Sequence, residues 1–217
     1  MQTELIFIID RSGSMSGFEK DTIGGYNSLI DKQKQEEGEA FVTTVLFDNQ
    51  YEVICDHQEL KTVDHMDSKT YFPRGTTALL DAIGKTINLV KSRTENMEEK
   101  PRVVFVITTD GLENASTEYS KSMIVKMIDE QQKKDWIFMF IGADMDAVKE
   151  GGSIGIKTTY SRTYTKSSAG MSSVYSSVSK VFSNVRKAER GISLDELESD
   201  ISNVLQTVPV YVFPMQN

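Results

Sequence analysis

The chain is poor in the residues on which several classes of protein depend. Cys55 is the single cysteine among 217 residues, so no internal disulfide can form, and we expect it to serve as a small core hydrophobe. The two histidines, His57 and His65, lie in a loop region without a second cysteine or histidine set, which argues against a zinc site. No stretch reaches the roughly 20 apolar residues of a membrane span.

Basic residues are also outnumbered. Lysine and arginine total 24 against 32 acids, for a net charge of −8. Nucleic acids and anionic membranes attract basic surfaces, so neither is expected as the main partner. The segment Met1 to Glu4 lacks the basic region of a signal peptide, and we therefore expect a cytoplasmic protein. Hydrophobic residues (39%) and charged residues (26%) are present in the proportions of an ordinary globular domain.

The most informative segment is an apolar run that ends in an acid. Residues 5–9 are Leu-Ile-Phe-Ile-Ile, a composition typical of a strand buried on both faces. Asp10, Ser12 and Ser14 follow on a turn marked by Gly13, at the carboxyl end of that strand. One carboxylate and two hydroxyls form an all-oxygen set that suits Mg²⁺, Mn²⁺ or Ca²⁺. The alternative for this pattern alone is a polar turn that caps the next helix.

Two later segments favour the metal interpretation. Residues 103–109 are a second apolar run, followed by Asp110 and Gly111. Between the two runs, residues 73–83 read as a glycine-rich turn that delivers a threonine to the start of a helix. The helix phase selects Thr77 as that threonine, with Thr76 as the alternative. Three loops with oxygen ligands can thus converge above one sheet.

These motifs resemble the metal-ion-dependent adhesion site (MIDAS) of von Willebrand factor type A domains. The resemblance covers roughly the first two-thirds of the chain and is strongest to the intracellular bacterial and phage members. It implies a metal, Mg²⁺ or else Mn²⁺ or Ca²⁺, bound at five positions: Asp10, Ser12, Ser14, Thr77 and Asp110. It also implies metal-dependent binding of a partner protein, whose Asp or Glu side chain completes the metal shell.

The expected fold is a three-layer, doubly wound α/β domain. Its mostly parallel sheet carries one antiparallel hairpin edge strand and has helices on both faces. The predicted strands are 4–10, 41–47, 50–56, a central strand from Val103, 136–141 and a short edge strand at 156–160. The predicted helices are 18–36, 77–93, 117–134, 167–187 and 194–205. The helix at 117–134 is expected to face inward through Met123, Met127 and Ile128.

The last third of the chain is predicted to hold further packed structure. Residues 167–187 are serine-rich, but their apolar residues recur every three or four positions, which favours an amphipathic helix over a linker. Ser193 and Glu196 form a capping box for the final helix, and 208–214 reads as an extended tail. We expect a domain over 1–190, with 191–217 packed on it or appended to it.

Four charged residues near the motifs allow two interpretations each. Arg11 either attracts an acidic partner or faces solvent. Asp81 either supports the metal ligands or serves as a first-turn helix acid. Glu113 either lines the rim of the site or is a solvated loop acid. Asp144 either joins the acidic cluster or caps a helix that starts near Met145.

The main functional rival is a metal-dependent hydrolase or phosphatase that uses the same strand-end acids. Phosphatases with an aspartate nucleophile require a second acid two residues after the first, but here Ser12 occupies that position. No Walker-type loop with lysine is present, and no base is placed to activate a serine. The sequence therefore favours a binding module with no catalytic residues. A scaffold that no longer binds metal is a third possibility, which the intact ligand set opposes.

Overall fold

A six-stranded sheet forms the centre of the computed structural model, which describes residues 2–188 and 194–208. The strands are β1 (Thr3–Asp10), β2 (Ala40–Phe47), β3 (Tyr51–Glu59), β4 (Arg102–Thr109), β5 (Ile137–Ala143) and β6 (Ser161–Tyr164). Their order across the sheet is β3-β2-β1-β4-β5-β6. All neighbouring strands are parallel except β2 and β3, which form an antiparallel hairpin. The predicted doubly wound α/β fold is confirmed.

Within the described part of the chain, six α-helices accompany the sheet: α1 (Glu19–Lys34), α2 (Leu79–Thr94), α3 (Lys121–Gln132), α4 (Ala147–Ser153), α5 (Ser168–Lys187) and α6 (Leu194–Gln206). Helix α1 connects β1 to β2 on one side, whereas α2 follows the β2–β3 hairpin and leads back across the sheet in the opposite direction to β4. Right-handed crossovers therefore place these two helices on opposite faces of the sheet. Helix α5 packs beside α1, where Phe7 of β1 meets both Tyr26 and Phe182 edge-on. Among the described residues, no helix combines the length and apolarity of a membrane span.

The register of the two central strands fixes the position of the acids. Strand β1 is buried along its whole length, and β4 is buried from Val103 onward. Ile9 lies opposite Thr108, so Asp10 and Asp110 emerge at the same edge of the sheet. The carboxyl ends of parallel strands are where folds of this type bind ligands.

The serine-rich segment near the C-terminus is a packed helix, as predicted. Its six periodic apolar side chains are all buried, which a solvated linker would not allow: Met171, Val174, Val178, Val181, Phe182 and Val185. In α6, Leu197, Ile201 and Leu205 join the same core. The capping box at Ser193 and Glu196, the expected boundary near residue 190 and most of the tail lie outside the described residues or side chains.

Two details of the predicted elements were wrong. The edge strand expected at 156–160 lies at 161–164 instead, because residues 158–160 form a 3₁₀ turn. Ile156 and Tyr160 are apolar because they pack into the core, not because they pair with β5. Met123, expected to face inward, is 46% exposed. Helix α3 begins only at Lys121, where the Ser120 hydroxyl caps it, and its buried face runs through Ile124 and Ile128.

Cys55 lies on β3 and is half-buried rather than fully enclosed. Its thiol donates to the Val42 carbonyl at 3.2 Å, and burial raises the pKa of the thiol to about 11. A thiol with so high a pKa is almost entirely protonated at neutral pH and is a poor nucleophile. This agrees with a packing role.

Candidate metal centre

Asp10 forms the floor of the site. Its side chain is fully buried, with one oxygen accepting the Ser12 backbone N–H and the other the Thr109 hydroxyl, both at 2.6 Å. Burial raises the pKa of Asp10 to about 6, although both hydrogen bonds and the Ser12 side chain oppose the rise. Among the described residues, no basic side chain forms an ion pair with this buried carboxylate.

A chain of hydroxyls connects this floor to the second acid. The Ser12 and Ser14 Oγ atoms are 2.9 Å apart, and Ser14 Oγ donates to Asp110 Oδ1 at 2.6 Å. The Asp110 carboxylate is itself largely buried, with 3% of its side chain exposed. The loops after β1 and β4 therefore meet in one polar cluster.

Thr77 reaches the same cluster from the loop that precedes α2. A Cβ built on Gly111 would lie 2.8 Å from Thr77 Oγ1 and 3.4 Å from Ser14 Oγ, so only glycine allows this approach without a shift. Gly75 makes the turn, with φ of +66° and with Asn49 occupying the space of a side chain. Thr77 is buried and Thr76 is exposed, so of the two candidate threonines Thr77 lies in the cluster.

Arg11 is not a surface residue, which contradicts both sequence interpretations. Its side chain is fully buried and bonds Asp48 Oδ2 through Nε at 2.9 Å, while another guanidinium nitrogen lies 2.6 Å from Glu52. Arg74 bonds the same Asp48 oxygen at 2.8 Å. The two arginines, one in the first loop and one in the glycine turn, bond the same buried carboxylate and so join the two loops.

Asp81 and Glu113 bind backbone rather than metal ligands. The Asp81 carboxylate accepts the backbone N–H groups of residues 117–119 at 2.8–3.0 Å. Glu113 accepts the Leu80 N–H at 2.9 Å at the N-terminus of α2, as well as two N–H groups of its own loop. Each acid thus joins α2 to the loop after β4, and together they fix Thr77 relative to Asp110.

One residue in the site carried no sequence signal. Lys166, in the loop between β6 and α5, places its ammonium 2.5 Å from Asp110 Oδ2 and from the Ser14 carbonyl oxygen. Asp144 does not join the acidic cluster, and Asp146 is the residue that caps α4. The Asp144 carboxylate instead accepts the Lys166 backbone N–H at 3.0 Å.

The donor set fits a hard divalent cation. Ser12, Ser14 and Thr77 supply neutral oxygens, and Asp10 and Asp110 supply carboxylates. Residues 2–188 and 194–208 contain no cluster of three or more His, Cys, Asp or Glu side chains suited to a metal, so hydroxyls form most of this set. The Lys166 ammonium shows that the cluster already attracts a cation.

Comparisons with known proteins identify the family and the fold. The sequence model of the von Willebrand factor type A domain matches residues 4–177. A comparison with curated proteins found no match. The solved structure of proximal thread matrix protein 1 from the mussel byssus has a TM-score of 0.60 at 16% identity, covering 84% of this chain and 46% of that one. This chain therefore spans about half the length of that relative.

Two further structures share the fold. The same mussel protein with a zinc-occupied MIDAS motif has a TM-score of 0.61 at 18% identity, covering 84% of this chain and 46% of that one. The von Willebrand factor domain of the pilus tip protein Mfa5 from Porphyromonas gingivalis has a TM-score of 0.63 at 10% identity, covering 89% and 98%. Domains of this kind are typically adhesion or interaction modules. With the family match spanning four-fifths of its length and the fold shared with these structures, the chain belongs to the von Willebrand factor type A domain family.

Proposed function

We propose that the chain is a divalent-metal-dependent protein-binding module. The observation that supports this is the convergence of the Ser12, Ser14 and Thr77 hydroxyls with Asp110 above the buried carboxylate of Asp10. These five residues would hold the metal, with Mg²⁺ as the expected ion and Mn²⁺ or Ca²⁺ as alternatives. A structural relative with zinc at its MIDAS motif supports divalent metal binding at this position.

The charged and the neutral residues of the site have different roles. Asp10 is buried with no ion-pair partner in the described part of the chain, so its carboxylate favours the arrival of a positive ion. The three hydroxyls are neutral, so they orient lone pairs toward the ion without cancelling its charge. When bound, a divalent ion would supply an electrophilic coordination position for an oxygen ligand of a partner.

The expected partner is a protein that presents an Asp or Glu side chain. A carboxylate pairs with an incompletely neutralised cation, and the pairing is strongest where the rim excludes water. The rim would consist of the loops near residues 15–18, 72–76 and 111–117. The scarcity of cysteine agrees with an assembly in the cytoplasm, and the net charge of −8 argues against nucleic acid or an anionic membrane as partner.

The first experiment measures the metal itself. Isothermal titration with MgCl₂, MnCl₂ and CaCl₂ should give one site in the wild-type chain and none in Asp10→Asn or Asp110→Asn. Asp129→Asn is the matched control, because Asp129 loses the same charge on the surface of α3, where it pairs with Lys133. Unchanged Mg²⁺ affinity in the Asp10 variant would refute the proposed site.

The second experiment measures the partner. Affinity capture from an extract of the source organism should recover a partner in Mg²⁺ and lose it in EDTA. Replacing the partner's contacting Asp or Glu with Asn or Gln should abolish the capture. Equal capture in EDTA would show that another surface binds the partner, and turnover of phosphate esters in a parallel screen would favour the hydrolase instead.

A further inference from the structure

A lysine of the chain itself occupies the mouth of the candidate metal centre. The Lys166 ammonium bonds Asp110 Oδ2 and the Ser14 carbonyl oxygen, and it lies 4.7 Å from the centre of the Phe18 ring. Only 17% of the side chain is exposed. Three groups from two different loops thus enclose one positive charge.

The backbone around Lys166 is fixed, so its side chain starts from a defined position. The Asp144 carboxylate accepts the Lys166 N–H, while the Asp144 N–H donates to the Tyr164 carbonyl at 3.0 Å. Immediately after the lysine, the Ser167 hydroxyl caps α5 by accepting the Gly170 N–H. A strand end and a helix start therefore hold the residue on both sides.

Both oxygens of the Asp110 carboxylate are already engaged. Oδ1 accepts the Ser14 hydroxyl, and Oδ2 binds the lysine. A divalent ion bound by Asp110 and Ser14 would approach the same oxygens to within about 2 Å. The ion and the ammonium would then be close neighbours on one carboxylate in a partly buried site. Their charges repel strongly there, so the two cations compete for the carboxylate.

We propose that Lys166 is a built-in competitor for the metal: its ammonium closes the site in the metal-free chain, and metal binding displaces it toward solvent. This inference rests on the proposed function, because it needs the metal to bind at the same cluster. The apparent metal affinity is the affinity of the open form multiplied by the fraction of chains in which the lysine is not engaged. The lysine would thereby set the metal concentration at which the site becomes available to a partner.

The test compares Mg²⁺ affinity in three variants by isothermal titration. Lys166→Met removes the charge and keeps the apolar stem, and it should bind Mg²⁺ at least about ten-fold more tightly than the wild type. Lys166→Arg restores a cation and should return the affinity toward the wild-type value. Lys133→Met is the matched control, because it removes the same charge from a surface pair on α3 and should change nothing.

A second readout follows the lysine directly. Amine acetylation detected by mass spectrometry should modify Lys166 slowly in EDTA and several-fold faster in Mg²⁺, while Lys133 reacts equally in both. The role of the lysine would be overturned if Lys166→Met bound Mg²⁺ no more tightly than the wild type, or if Lys166 were acetylated at the same rate with and without Mg²⁺. Neither result would contradict the metal site itself. Absence of Mg²⁺ binding in every variant would overturn the metal site and the lysine proposal together.

Discussion

Replacing the buried acid at the floor of the site should stabilise the metal-free protein. Burial raises the pKa of Asp10 from 3.8 to about 6, so ionising it costs more in the folded chain than in the unfolded chain. At about 1.4 kcal/mol per pKa unit, the penalty at neutral pH is about 3 kcal/mol. Asp10→Asn mimics the neutral acid, and we expect it to raise the free energy of unfolding by about 1 to 3 kcal/mol at pH 7 in EDTA.

The pH dependence of this gain follows from the sign of the shift. Between pH 3.8 and about 6 the folded chain binds more protons than the unfolded chain, so the contribution of Asp10 to stability falls as the pH rises. At pH 4 the residue is protonated in the folded chain but still about half ionised in the unfolded chain, so most of the penalty has vanished. The advantage of Asp10→Asn should therefore be full at pH 7 and small at pH 4.

Metal should reverse the order of stability. Saturating Mg²⁺ stabilises only the chain that binds it, by about 4.1 kcal/mol at one thousand times the dissociation constant, which exceeds the advantage of Asp10→Asn. Urea denaturation at pH 4 and 7, with EDTA or with MgCl₂, measures all four conditions, and Asp129→Asn controls for the lost charge. An Asp10→Asn variant that is no more stable than the wild type at pH 7 in EDTA, or that gains as much at pH 4 as at pH 7, would refute the buried-charge penalty.

Three further outcomes are expected. Thr77→Ala should weaken Mg²⁺ binding at least about ten-fold and leave the melting temperature in EDTA nearly unchanged, whereas Thr76→Ala should do neither; equal titrations for both would exclude Thr77 as a ligand. Val178→Asp should cost several kcal/mol in urea denaturation because it buries an unpaired charge, whereas Ser172→Asp on the exposed face of α5 should be nearly neutral. Asp81→Ala should lower stability by about 1 to 3 kcal/mol and reduce Mg²⁺ affinity, because it leaves three backbone N–H groups unpaired; retention of both would contradict its role as an anchor.

The parts of the fold that follow from local pattern were predictable. The apolar runs of β1 and β4 are long, end in acids and lie next to each other, which brings Asp10 and Asp110 to one edge. The amphipathic spacing in α5 outweighed its serine content, because periodic burial, not composition, decides whether such a segment packs. Each of these features depends on residues that are close together in the sequence.

The parts that depend on distant charges were not predictable. Lys166 lies 152 positions from Ser14 along the chain, and a single lysine before a helix carries no periodic signal. The burial of Arg11 was unpredictable for the same reason, because it depends on Asp48 and Glu52 in the β2–β3 hairpin. Met123 was misplaced because α3 carries apolar residues on more than one face, and only the face through Ile124 and Ile128 is buried.

The two outer strands also affect how copies of this chain can associate. Strand β3 shifts register against β2 near Thr44, and His57 within it adopts a left-handed conformation with φ of 47°. Strand β6 spans only Ser161–Tyr164. Edge strand β3 is irregular and acidic, and edge strand β6 is very short. Neither offers a long, regular row of backbone groups with which a strand of another molecule could pair. Both edges of the described sheet therefore disfavour strand-to-strand pairing between copies of this chain.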